Sequence, residues 1–383
     1  LMLDNDDEQS KDSLTSSVVA NSDTVEKKQV LVKQIAQPQI QQQPAFQPSC
    51  TPLVLPERYM IWNSIGLITQ FNKDEDDSIE IEFHNASYHH TIHLKNQFGY
   101  TMADMSKEVV VLASPGSKSI DDENEINPIL TTSLKSQSRL ACILLNSLDT
   151  NKEWSIELPK KEYIKCVCAS RTLVACITTR KFIRIYHIAG TQKEIISISG
   201  TPICMSAYDN CLFVLYNTSS QACVGYSIYY IDDLMKKESE HGFVGLSDES
   251  AKVDWAGFSD EGNPYIYDSN GVLYTKCLTV SSRFAWTPVS NLRAGLTHKS
   301  DNYWIVGIAE RNQMIKTIHC KGSRYPYVLP RPTLCMVNFS IPLIDAESEK
   351  TKFEQELWKN KYLTLSLRNY DHSSGILEMD EYE

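Results

Sequence analysis

Four groups of side chains in this 383-residue sequence are of types that carry chemistry. The first is His84, His89, His90 and His93. Imidazole is the commonest metal ligand, and His-His-x-x-His crowds three rings into a short span. A metal site also wants carboxylates or thiolates at fixed spacing, and these histidines fall on a strand end and an irregular connection, so they are read as a polar rim. The second group is Cys166, Cys168 and Cys176. Alternate strand residues share a face, so Cys166 and Cys168 point the same way. A zinc ribbon needs a second matching pair, which is missing, and free cysteines are among the most buried residues; core packing is the reading. The third group is Asp254 with Asp260 and Glu261, a conceivable general acid and base of the kind glycosidases use. Asp260-Glu-Gly262 is equally an ordinary turn, and Asp254 stands beside Trp255 in an apolar strand. The fourth is Lys321, Arg324 and Arg331 among Tyr325, Tyr327 and three prolines, a candidate basic interaction surface. No Ser-His-Asp spacing, phosphate-binding glycine loop or dinucleotide fingerprint is present. No catalytic, metal or cofactor residues are assigned, and no cofactor is expected.

Composition bounds what these groups can do. Lys and Arg number 37 against 48 Asp and Glu, a net charge of -11, which argues against attachment to nucleic acid by bulk positive charge. The 11 cysteines are an odd number scattered through apolar runs, which fits reduced thiols in cytosol or nucleus better than a secreted disulfide framework. No apolar run approaches the roughly 20 residues of a membrane-spanning helix, and no signal-peptide pattern opens the chain. The sequence starts with Leu1, as expected of a fragment of a longer chain.

The elements that must position these residues fall into three blocks. Residues 1–54 hold an acidic start, a Ser/Thr stretch and the Gln/Pro run from Gln34 to Gln47, with Phe46 the lone aromatic. So little apolar area does not offset ordering entropy, and the block is expected to be a disordered linker, with at most a short helix around Val25–Ala36. Residues 55–345 are a succession of short runs rich in Ile, Val, Tyr and Phe, such as Ile79-Glu-Ile-Glu-Phe83 and Phe182-Ile-Arg-Ile-Tyr186. This is strand chemistry, punctuated by turns. Ser269-Asn-Gly271 is a hairpin signal, because Asn-Gly tolerates positive φ at both centres of a type I′ turn. The strands group in fours over 59–94, 99–157, 163–198, 202–246, 253–290 and 302–340. Even spacing without a linker predicts an all-β, six-bladed β-propeller; a pair of β-sandwiches is the alternative. Residues 346–383 change character. Phe353, Leu357, Trp358 and Tyr362, followed by Leu365, recur at helical spacing behind a cap at Asp345 or Ser348, the start of an α-helical bundle with a docking stripe.

The residues that pattern the strands also carry a resemblance. Arg58-Tyr-Met-Ile-Trp-Asn63, Gly66-Leu-Ile, Ile79-Glu-Ile-Glu-Phe-His84, His89-His90 and His93-Leu94 resemble the opening of the SepB domain of the minichromosome loss / chromosome transmission fidelity / acidic nucleoplasmic DNA-binding protein family. Val253-Asp-Trp-Ala-Gly-Phe-Ser-Asp-Glu-Gly262, Tyr267-Asp-Ser-Asn-Gly271, Trp286-Thr-Pro288, Lys299-Ser-Asp-Asn-Tyr-Trp304, Cys320-Lys-Gly-Ser-Arg-Tyr-Pro326 and Leu329-Pro-Arg-Pro332 follow in the family's order, so the resemblance covers about residues 57–383. It implies a six-bladed propeller followed by a helical bundle, and a nuclear replisome hub. The propeller would form a homotrimer, and the bundle would bind short motifs of the GINS part of the replicative helicase and of DNA polymerase alpha-primase. Animal members add an N-terminal WD-repeat domain and a C-terminal HMG box, through which chromatin or DNA contact would run. The sequence as given holds neither, and its bundle stops after about one helix. The expectation is a non-enzymatic scaffold acting by multivalency. A propeller hydrolase with channel carboxylates and a DNA-binding propeller remain as alternatives.

Overall fold

The computed structural model describes residues 42–73, 76–87, 89–116, 137–146, 152–218, 223–231, 239–278, 284–342 and 348–360. The chain divides after Gln41 into two units, and every described residue belongs to the second. The expected helix around Val25–Ala36 lies outside the described residues.

The strands pair into six antiparallel sheets, each built from consecutive segments. The first holds β1 (Glu57–Trp62), β2 (Gly66–Lys73), β3 (Asp76–Phe83) and β4 (Ile92–Lys95); the second β5 (Met102–Met105), β6 (Val109–Ser114), β7 (Arg139–Leu144) and β8 (Glu153–Glu157). The third holds β9 (Ile164–Ala169), β10 (Leu173–Thr178), β11 (Phe182–His187) and β12 (Gln192–Ser197); the fourth β13 (Thr201–Tyr208), β14 (Cys211–Asn217), β15 (Cys223–Tyr230) and β16 (Glu240–Gly245). The fifth holds β17 (Val253–Phe258), β18 (Pro264–Asp268), β19 (Val272–Leu278) and β20 (Phe284–Asn291), and the sixth β21 (Asn302–Ala309), β22 (Met314–Cys320) and β23 (Leu334–Asn338). The first strand of each sheet abuts the first strand of the next, from β1 through β21. First strands therefore line an axis and the chain is a six-bladed β-propeller.

Packing explains the patterning. Residues of β6 and β10 are buried throughout, because a middle strand of a blade is covered on both faces. On β3, Ile79 and Ile81 enter the core while Glu80 and Glu82 look outward. Each seam between neighbouring blades holds its own apolar cluster, for example Met60, Ile79 and Ile81 against Val110 and Leu112. Leu173, Ile183 and Ile185 meet Met205, Leu212 and Val214 in the same way. The seam that closes the ring is aromatic: Tyr59, Trp62 and Leu67 of the first blade meet Trp304, Val306 and Ile318 of the sixth. No strand is exchanged between the first and sixth blades among the described residues.

Two local expectations differ from the structure. Ser269-Asn270-Gly271 does join β18 to β19, but only Gly271 is left-handed, with φ 91°. The reason is Asp268, whose carboxylate accepts the Asn270 N–H at 3.0 Å and the Val272 N–H at 2.9 Å, giving a three-residue loop. The second concerns the linker: residues 42–51, expected within it, lie against the propeller with specific hydrogen bonds.

Candidate functional site: the channel and the open blade

The segment from Gln42 to Pro56 enters the axial channel from the end where the first strands begin, turns at Pro48-Ser49, and returns to start β1. Ser49 adopts φ 52° at this turn. The Gln43 side chain donates to Val253 O (2.7 Å) and accepts from Val253 N–H (2.9 Å). Gln47 does the same to Val167, donating at 2.6 Å and accepting at 3.2 Å. Asn217 returns the arrangement, accepting from Gln43 N–H at 3.0 Å and donating to Gln43 O at 2.8 Å. Ser49 Oγ accepts from Trp255 Nε1 (2.8 Å) and donates to Ile305 O (2.9 Å). Phe46 N–H donates to Ile203 O at 2.8 Å. Thr51 and Tyr59 bond each other, and Arg58, itself buried, donates to Thr51 O at 3.3 Å and to Gln70 at 2.9 Å. Five of the six blades thus grip this segment, which divides the channel into two blind recesses of about 510 and 540 Å³.

Three of the acids that line these recesses, Asp254, Asp260 and Asp104, are held in structural bonds. Asp254, on the entry side, pairs with Arg324 at 2.6 Å; burial lifts its carboxyl and Arg324 draws it back. Asp260 accepts the Glu310 N–H at 2.7 Å, and Glu261 pairs with Arg311. Asp104, which its local sequence did not single out, accepts the Met105 N–H at 2.8 Å and the Ala169 N–H of the next blade at 2.9 Å. Burial pushes its carboxyl up to about 7. A lone Asp between apolar neighbours in Met102-Ala-Asp-Met105 is the signal that could have found it.

The other candidate groups disperse. His84 Nε2 lies 3.0 Å from Asn63 O, His89 packs on Phe83, His90 is exposed, and His93 lies 3.8 Å from Glu80. Among the described residues no three His, Cys, Asp or Glu side chains converge to hold a metal. Cys166, Cys168 and Cys176 are buried, and burial pushes the Cys166 and Cys176 thiols up to about 12. Of the basic group, Arg324 is paired with Asp254, Arg331 pairs with Glu82 at 2.9 Å, and Lys321 is exposed.

The sixth blade differs from the rest. Against the four strands expected over 302–340 it has three, where the other five blades have four, so β23 takes the outermost place that a fourth strand holds elsewhere. The same strand leaves Leu334 (39% exposed) and Met336 (52%) in solvent. Beyond it, helix α1 (349–360) begins where Ser348 Oγ accepts the Thr351 N–H at 3.2 Å, an N-cap. Helix α1 is tied to the propeller by Gln313, which donates to Lys359 O at 3.1 Å. Phe353 (71% exposed) and Leu357 (69%) face solvent, with Trp358 beside them partly exposed; Asp345, Tyr362 and Leu365 lie outside the described residues.

Fold and site together define a propeller whose channel is filled by its own chain and whose last blade has an open edge. The family model described as minichromosome loss protein, Mcl1, middle region, matches residues 44–343, a span that begins inside the channel segment and ends before helix α1. The chain belongs to that family. It is 36% identical over 324 residues to WD repeat and HMG-box DNA-binding protein 1 of Xenopus laevis, covering 84% of this chain and 27% of that protein. It is 35% identical over 322 residues to the protein of that name from Homo sapiens, covering 83% and 27%. Against minichromosome loss protein 1 of Schizosaccharomyces pombe it is 28% identical over 340 residues, covering 85% and 39%. The chain thus spans about a quarter of the length of the animal relatives it matches.

Proposed function

We propose that this chain is a non-enzymatic scaffold of the nuclear DNA replication and chromosome-maintenance machinery, and that it works as a homotrimer held by its propellers. The observation that carries the reading is the sixth blade, one strand short among the described residues, whose outermost strand β23 leaves Leu334 and Met336 in solvent. Natural sheets blunt such an edge with charge, proline or a cover, and an edge left apolar is an association surface. The names of the relatives support a chromosomal role. Three tethered copies would present three docking stripes, each with Phe353, Leu357 and Trp358, and so raise the effective concentration of each bound partner for the others. GINS and DNA polymerase alpha-primase are the partners we propose, on the strength of the family resemblance. The hydrolase alternative is weaker because the channel is filled and Asp104, Asp254 and Asp260 are engaged in structural bonds. Direct DNA contact through Lys321, Arg324 and Arg331 is weaker because both arginines are neutralised by carboxylates.

Light scattering across a concentration series tests this. The expected mass is three times the 43.5 kDa monomer. In the L334K/M336K variant, with charge on the open edge, the expected result is a folded monomer. A wild-type chain that stays monomeric at every concentration overturns the reading.

A further inference from the structure

The first strands of a propeller turn one side of their backbone toward the axis, where no further strand pairs with them, and buried N–H and C=O groups require partners. Here the partners are carboxamides. A glutamine side chain carries a carbonyl acceptor and an N–H donor in one plane, as a peptide group does. Gln43 and Gln47 each use both to bind the two backbone groups of a single residue, Val253 of the fifth blade and Val167 of the third. Asn217 reads the backbone of Gln43 by the same pairing, and Trp255 reads the Ser49 hydroxyl. These contacts depend on side-chain identity. Ala45 and Phe46 pack on neighbouring apolar clusters, but the segment also places carboxamides four residues apart and a small hydroxyl two residues further on, against fixed partners.

We propose that the channel is a peptide-recognition site, filled in cis by residues 42–51. Its ligand class is a peptide with carboxamides at positions i and i+4 that turns at a small hydroxyl at i+6. The tethered segment sits at an effective concentration on the order of millimolar, so a free peptide at micromolar concentration is excluded while the cis contacts are intact. The site is closed by default and opens when those two carboxamides are lost.

The test uses the full chain, wild type and Q43A/Q47A, titrated into a fluorescently labelled peptide with the sequence of residues 42–52. A control peptide has the glutamines at positions 43 and 47 replaced by alanine, with Gln42 kept. Anisotropy is the readout. The double variant is expected to bind the native peptide at least about tenfold more tightly than the control peptide, and at least about tenfold more tightly than the wild-type chain does. A folded double variant that binds both peptides alike, or neither, overturns the proposal. Should the double variant fail to fold, single Q47A is followed by hydrogen exchange. The Val167 amide loses its acceptor and is expected to exchange at least about tenfold faster, with β10 and β11 unchanged. Unchanged protection at Val167 overturns the proposal equally.

Discussion

Asp104 sits on the channel wall with both carboxylate oxygens accepting backbone N–H groups, one from its own blade and one from the next. Burial outweighs those bonds and pushes the carboxyl from an ordinary 3.8 up to about 7. A carboxyl raised in this way favours the fold while protonated. Its contribution is complete below about pH 3.8 and is lost as pH rises through about 7. The stability advantage of wild type over D104N is therefore expected to shrink from pH 5 to pH 8, read as the difference between the two melting temperatures. A difference that stays constant over that interval would sink the assignment. At this scale the sequence is legible where residue type alone decides: thiols amid Ile, Val and Ala had to be core. It is not legible where a polar group serves a neighbour distant in the chain. Asp254 and Arg324 are 70 positions apart, and neither local sequence names the other.

Strands are legible from short range, because a pleated, buried face demands β-branched and aromatic residues and each sheet is made of consecutive segments. Turn geometry is legible only in part. The dipeptide Asn270-Gly271 announces a hairpin, but the preceding Asp268 selects the loop. The consequence is that Gly271 alone bears the left-handed backbone, with a Cβ there meeting Arg293 Cγ at 2.5 Å. G271A is expected to cost about 1–2 kcal/mol in urea unfolding; an unchanged midpoint would mean that the loop can be rebuilt without it. The end of the Gln/Pro segment departs from the expected disorder for a physical reason. Weighing apolar area against chain entropy correctly finds too little to drive ordering, but it omits hydrogen bonds to backbone groups that a ring has already fixed in place. Those groups exist only after six blades assemble, so nothing near Gln43 or Gln47 in the sequence reveals them. The open edge of β23 is equally hidden, since a blade with three strands is recognised only by comparison with five that have four.

For the molecule as a whole, closure of the ring rests on side chains. The first and sixth blades meet through Tyr59 and Trp62 against Trp304, with ring centroids 6.0 and 6.3 Å apart, and through the channel segment bonded to both. Trp304 is the member contributed by the sixth blade. W304A is expected to lose about 3–5 kcal/mol in denaturant unfolding, with faster amide exchange concentrated in β1 and β21. A loss below about 1 kcal/mol would show that the channel segment closes the ring without the aromatic cluster.

The path of the chain through the disk gives it a front and a back. Gln42 bonds to Thr201, at the start of β13 and so on the face where the first strands begin. Helix α1 is held by Gln313, in the turn after β21 and so on the face where the first strands end. The backbone passes from one side of the wheel to the other, and its two attachment points are separated by the thickness of a blade. Under the proposed scaffold role, a partner bound at one of them would be held clear of a partner bound at the other, and the ring would act as a spacer as well as a clasp.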